Sequence, residues 1–194
     1  MIRAAAFFNL HSHGAIAPSG KSWQKPTPDL SQSAPILEIV DRPVKYLPRM
    51  TIETRCCLCA AALAMKAADW QGGEIGLLSS GAEGLLKANE EYFRDYVATG
   101  RSLGRGNLFI YTLATSTLGE VAIALSLTGP SLFLRHDADP ASAMLRDAQE
   151  MISDGEARGF LALSSTADSA LCYAIAPGEG GLNLTEIDRI LRHP

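Results

Sequence analysis

Apolar residues gather in short runs of strand length, separated by stretches in which they recur every three or four positions. Ile2–Asn9, Ile75–Ser79, Ser131–Leu134, Phe160–Ser164 and Ala170–Ala176 each read as a strand. A long helix is predicted from Thr51 or Glu53 to Trp70, rich in alanine and cysteine and stopped by Gly72-Gly73. Leu118, Val121, Ala122 and Leu125 recur at helical spacing within a helix over Thr115–Leu127. A third helix, Pro140–Ser153, has Asp139 as its cap and proline in its first turn. Its stripe of Ala141, Met144, Ala148, Met151 and Ile152 is backed by Arg146, Asp147, Gln149, Glu150 and Asp154, so one side should lie on a sheet and the other face water or a polar partner.

The remaining segments are less regular. His11–Pro48 carries six of the ten prolines and reads as a loop holding one short strand at Ile36–Val40. Leu85–Gly106 is an excursion with a helical part at Ala88–Val97, and the last two strands form a hairpin around Thr166-Ala167-Asp168. A turn at Thr185–Leu191, capped by Thr185, ends the pattern. The resulting βαβαβαββ order predicts an α/β domain over residues 1–194, a five-stranded mixed sheet with helices on both faces.

Composition narrows the partners. With 194 residues the chain can bury a core without disulfides or metal. A net charge of −4 and no basic run argue against nucleic acid as a partner. Hydrophobic residues make up 47% of the chain, which favours a buried partner face, yet no stretch is long enough to span a membrane. The N-terminal Met1–Gly14 has one arginine before its apolar run and reads as a first strand, being too short for a signal peptide. Cys56, Cys57 and Cys59 crowd one helix and cannot all face one ion, so they read as small core residues of a protein from a reducing, cytoplasmic compartment. No metal site and no cofactor are predicted. Lys21-Ser22 lacks phosphate-loop spacing, and the glycines at 178, 180 and 181 form no dinucleotide fingerprint.

The most informative stretch is Ser126–Gly155. Gly129-Pro130 leads into the strand Ser131–Leu134, then a polar loop, then the capped helix. A nucleophile at such a junction would be activated by the helix N-terminus. That place holds Ala138, flanked by Asp137 and Asp139. His136 beside Asp137 could act as a base held by a carboxylate, although neighbours on an extended strand point apart. Asp139 as a cap with Arg135 as its ion-pair partner accounts for the same residues without catalysis.

This outline resembles the N-terminal half of β-ketoacyl synthases, the condensing enzymes of fatty-acid and polyketide assembly. The resemblance rests on Pro48-Arg49-Met50 before the alanine-rich helix, the glycine-punctuated strand Glu74–Gly84, Leu113–Thr117 opening the next helix, Leu127–Ser131 closing it, and Ile152–Gly155 leading into Phe160–Leu163. It is strongest over residues 49–175. It implies half of a thiolase-like fold, with Ala138 at the position of the family's acylated cysteine, where a methyl group cannot attack a thioester. The family's catalytic histidines belong to a C-terminal half that these 194 residues do not include, and His11, His13, His136 and His193 match no such motif. The resemblance also implies that the Ser131–Leu134 strand pairs antiparallel across a two-fold axis.

Three readings follow. The first is a non-catalytic ketosynthase-like subunit in a fatty-acid or polyketide-type pathway, which the resemblance extends to aryl polyene pigments; its partners would be a ketosynthase, an acyl carrier protein or a copy of itself. The second is an acyl-thioester decarboxylase or hydrolase using His136 and backbone amides of the elbow. The third is a sensor that binds an acyl group in the empty site.

Overall fold

The computed structural model describes residues 1–80, 83–102, 104–135, 139–178, 181–185 and 187–188. Its seven strands are β1 (Ile2–Asn9), β2 (Ser12–Ile16), β3 (Ser22–Pro26), β4 (Ile75–Ser80), β5 (Ser131–Phe133), β6 (Gly159–Ser165) and β7 (Ser169–Ile175). They form one mixed sheet in the order β3-β2-β1-β7-β6-β4-β5. β4 runs parallel to both β5 and β6, whereas β7 is antiparallel to β6 and β1. The α-helices among the described residues are α1 (Ser33–Val40), α2 (Ile52–Ala67), α3 (Glu83–Ala98), α4 (Gly106–Ile110), α5 (Ala114–Leu125) and α6 (Pro140–Ser153).

Side chains alternate between two cores, one on each face of the sheet. Ala4, Ala6, Phe8, Leu77, Leu161, Leu163, Cys172 and Ala174 face α1, α2 and α5. Ala5, Leu78, Phe160, Ala162, Tyr173 and Ile175 face α6 and the C-terminal Leu182, Leu184 and Ile187. Burial on both faces explains why the central strands read as unbroken apolar runs. On α6, Met144 and Ala148 from the expected stripe are buried, and Ala141, Met151 and Ile152 pack at its margin. Helices therefore cover both faces, as expected.

The count of five strands is corrected to seven. β2 and β3 lie inside the segment expected to be a loop. β3 is Ser-Trp-Gln-Lys-Pro with every residue exposed, so it carries no apolar signal, and it is held by its ladder to β2. The expected strand at Ile36–Val40 is instead the second half of α1. Ile36 and Val40 are buried four apart on one helical face, and Pro35 sits in the first turn, where no intrahelical N–H is needed.

Other boundaries shift. α2 ends at Ala67, before Trp70, because Asp69 takes a left-handed φ of 57° and the Trp70 N–H reaches back to Met65 O. α3 begins at Glu83, earlier than the predicted Ala88. α5 ends at Leu125, with Ser126 left-handed at φ 57°. The final turn starts two residues before Thr185: the Asn183 side chain accepts from the Thr185 N–H at 2.8 Å, so Asn183 is the cap. Residues 186 and 189–194, which include the expected end at Leu191, lie outside the described residues.

Residues 27–50 form a strap over α2. Leu30, Ile36, Val40, Leu47 and Met50 join the core beneath them, so twelve of the sixteen residues of α2 are buried. Arg55 ties the strap down. Its guanidinium donates to Met50 O at 3.1 Å, Pro48 O at 3.1 Å and Leu30 O. A second tie is ionic. Glu120, buried on α5, accepts from Arg49 at 2.9 Å and from the Tyr111 hydroxyl at 3.2 Å, and Arg49 lies 3.7 Å over the Tyr46 ring. Charge from Glu120, after burial itself, pushes the Tyr111 phenol up to about 12.

Candidate functional site

The elbow foreseen in the sequence is present on either side of its centre. Gly129 lies against β4 so closely that a Cβ there would be 2.6 Å from the backbone of Ile75 and Gly76. That contact sets β5 beside β4. Leu134 then donates to Ser79 O at 2.9 Å, carrying the ladder one residue past the strand. α6 begins at Pro140, and the Asp139 carboxylate caps it by accepting from Ser142 N–H at 3.3 Å. Asp139 has a left-handed φ of 42°. Its hydrogen bonds to Ser142, helped by the Arg146 charge, hold its carboxyl below the ordinary range. His136, Asp137 and Ala138 lie outside the described residues.

A cavity of about 500 Å³ opens beside this helix start. Asp139, Ser142, Ser164, Tyr173, Thr185 and Asp188 supply its polar wall, and Leu171 and Leu184 its apolar one. Its size is in the range of small-molecule sites. Among the described residues that line it there is no thiol and no imidazole. The arrangement offers hydroxyls and carboxylates that could bind and orient a polar group. Those residues supply no activated nucleophile.

The cysteines are elsewhere. All four are buried in the core on the α2 face, on the other side of the sheet from α6. Burial, with the Asp168 and Glu53 charges behind it, pushes the Cys56 thiol up to about 12, and burial raises Cys57, Cys59 and Cys172 as well. Their expected role as core residues agrees with this placement. Among the described residues no cluster of three His, Cys, Asp or Glu side chains could hold a metal ion, and no helix is long and apolar enough to cross a membrane.

β5 stands at one end of the sheet, and no described strand pairs with its outer edge. Leu77 donates to Pro130 O and Leu134 to Ser79 O. Ladder alternation therefore turns the N–H groups of Ser131 and Phe133 outward. Leu132 is 37% exposed, and Ile123 on α5, the helix packed against β5, is 68% exposed. An open edge with apolar neighbours is a template for another chain. The Arg49–Glu120 tie, the Arg55 anchor and the exposure of Ile123 and Leu132 carry no signal in the sequence taken alone, save that a carboxylate, Glu120, interrupts the apolar spacing of α5.

No family model matches the chain, and no curated protein matches it. Solved structures do match. The ishigamide ketosynthase/chain length factor superposes with a TM-score of 0.61 at 16% identity, over 75% of this chain and 48% of that one. A structure described as a type II PKS acyl-carrier protein in complex with its ketosynthase bound to the hexaketide, AntDE:AntF, matches with a TM-score of 0.57 at 12% identity, over 91% of this chain and 63% of that one. The ketosynthase ApeO in complex with its chain length factor ApeC, from Xenorhabdus doucetiae, matches with a TM-score of 0.54 at 15% identity, over 90% and 80%. The chain spans about half the length of the first of these. At such identities the likeness concerns the fold alone, and that fold is one half of a thiolase-like fold.

Proposed function

We propose that this protein is a non-catalytic ketosynthase-like subunit that assembles with a second ketosynthase-like chain in a cytoplasmic fatty-acid or polyketide-type pathway. The observation that carries this reading is the open edge of β5, flanked by exposed Leu132 and Ile123. Pairing there would satisfy the outward N–H groups of Ser131 and Phe133 and bury both apolar side chains. In isolation a second copy takes the partner's place, with the β5 strands antiparallel across a two-fold axis. The matched structures include a ketosynthase with its chain length factor and a ketosynthase with its carrier protein, which supports a ketosynthase partner and an acyl carrier protein as a visiting one.

Ala138 in place of a nucleophile, with no thiol among the described residues around the cavity, supports the absence of condensation. The test is to incubate the protein with acyl-CoA and with malonyl-loaded carrier protein, following intact mass and product. The expected outcome is no acyl adduct and no turnover above the uncatalysed rate. An acylated chain, or thioester consumption abolished by His136→Ala, would establish the enzymatic reading instead. The cavity beside α6 favours one other role, binding of an acyl group without turnover. Saturable thermal stabilisation by acyl-pantetheine would reveal it.

A further inference from the structure

A second cavity, of about 440 Å³, lies at the start of α2, on the opposite face of the sheet from the elbow. Met50, Ile52, Ala88 and Ala167 give it apolar walls. Among the polar side chains that line it is the Glu53 carboxylate. One of its oxygens, Oε1, accepts from the Ser165 hydroxyl at 2.7 Å. Burial holds this carboxyl above its ordinary pKa, and only that hydrogen bond opposes the shift. Among the described residues no cation pairs with it within 4 Å, and the only other support is its place in the first turn of α2, where the helix dipole favours a carboxylate. Arg55, two residues along and in the same wall, directs its three nitrogens to the backbone carbonyls of Met50, Leu30 and Pro48. Lys87 and Glu91, four apart on α3, line the cavity too, and neither forms an ion pair with Glu53 within 4 Å.

A desolvated carboxylate without a cation is costly, and a glutamine could accept the same bond from Ser165 without a charge. The cavity is the side from which a counter-charge can arrive. The lining carries two acids, Glu53 and Glu91, and two bases, Arg55 and Lys87, so it gives an anion no net attraction. A divalent ion is poorly served, because no described cluster supplies three ligating side chains. We propose that this cavity binds a small molecule carrying a protonated amine on a short apolar stem, with Glu53 as its counter-ion and Met50, Ile52 and Ala88 enclosing the stem. The site is independent of the β5 edge and of the elbow, so it stands or falls separately from the subunit role.

The test is calorimetric titration with n-butylammonium chloride, with n-butanol and tetramethylammonium chloride as controls. Wild-type protein is expected to bind n-butylammonium saturably, and both controls at least about ten-fold more weakly, a difference of about 1.4 kcal/mol. Glu53→Gln, which keeps an acceptor for Ser165, should lower the affinity at least about ten-fold. Ala88→Phe should do the same by filling the space while leaving Glu53 in place. Circular dichroism and melting of each variant establish that it is folded. No saturable binding by the wild type, as when Lys87 itself closes on Glu53, would overturn the proposal. So would equal binding by n-butanol, or binding that survives Glu53→Gln.

Discussion

Arg55 carries a full charge into a helix that is buried on nearly every side, and it does so by converting that charge into three bonds to one strap. Removing it strands three carbonyls under the strap. Arg55→Lys is hardly milder, since an ammonium lacks the planar fork that reaches three acceptors at once. Both substitutions are expected to lower unfolding free energy by about 3 kcal/mol in denaturant titrations. A loss under about 1 kcal/mol would mean that the apolar residues of the strap hold it unaided.

His13 makes the opposite use of burial. It lies between Phe8 and Trp23, with ring centroids 5.2 and 5.6 Å away, and its Nδ1 has no hydrogen-bond partner among the described residues. Burial first, and Lys25 second, lowers its pKa from the ordinary 6.5. Below 6.5 the unfolded chain therefore binds the proton more readily than the folded one. The stability from neutral His13 is complete above 6.5 and is lost as pH falls through the lowered value. Between about pH 7.5 and about pH 5.5, His13→Leu should show a flatter stability curve than the wild type. Parallel curves would remove His13 from the account. Neither residue's role could be read from the sequence, because both depend on partners that only the folded strap and hairpin bring near.

At the level of elements, legibility followed apolar runs more than burial. β2 is buried from His13 to Ile16 yet has too little apolar sequence to show, while the mostly exposed β5 shows through Leu132, Phe133 and Leu134. Strands covered on both faces announce themselves as apolar runs, and β1, β4, β6 and β7 were all visible. β3 was invisible because its five residues are all exposed and its order comes from backbone pairing alone. α1 was misread because Ile36, Leu37, Ile39 and Val40 form a dense apolar patch that suits a strand equally well by composition. The deciding feature was the four-residue step from Ile36 to Val40. α2 was read correctly as a helix whose cysteines are core residues. With the Cys56 pKa near 12, only about one thiol in ten thousand is ionised at pH 8. Native protein should leave all four thiols unmodified by a disulfide reagent at that pH, whereas guanidinium should expose four. One fast-reacting thiol in native protein would contradict the packing of α2.

For the molecule as a whole, the order of elements carried the thiolase-like likeness even where boundaries slipped, because topology survives a shift of a few residues. The elbow was legible through Gly129-Pro130 and the Asp139-Pro140 cap, which are local signals. The extension of the sheet to seven strands was not, since β2 and β3 add to the edge beyond β1 and leave the central order unchanged. That extension places the two ends of the sheet in different conditions. β3 ends in proline and carries Lys25, both of which discourage pairing. β5 has neither, and it presents an exposed Leu132, with Ile123 exposed on the helix packed against it.

The contrast between the two edges makes solution mass the most direct test. Sedimentation equilibrium on the wild type should give about twice the 20.7 kDa mass of the chain, and Leu132→Lys should return it to a single chain without unfolding it. A wild-type mass of one chain at every concentration up to about 100 μM, well above the micromolar affinity of a weak interface, would contradict the account, as would a dimer that Leu132→Lys leaves intact.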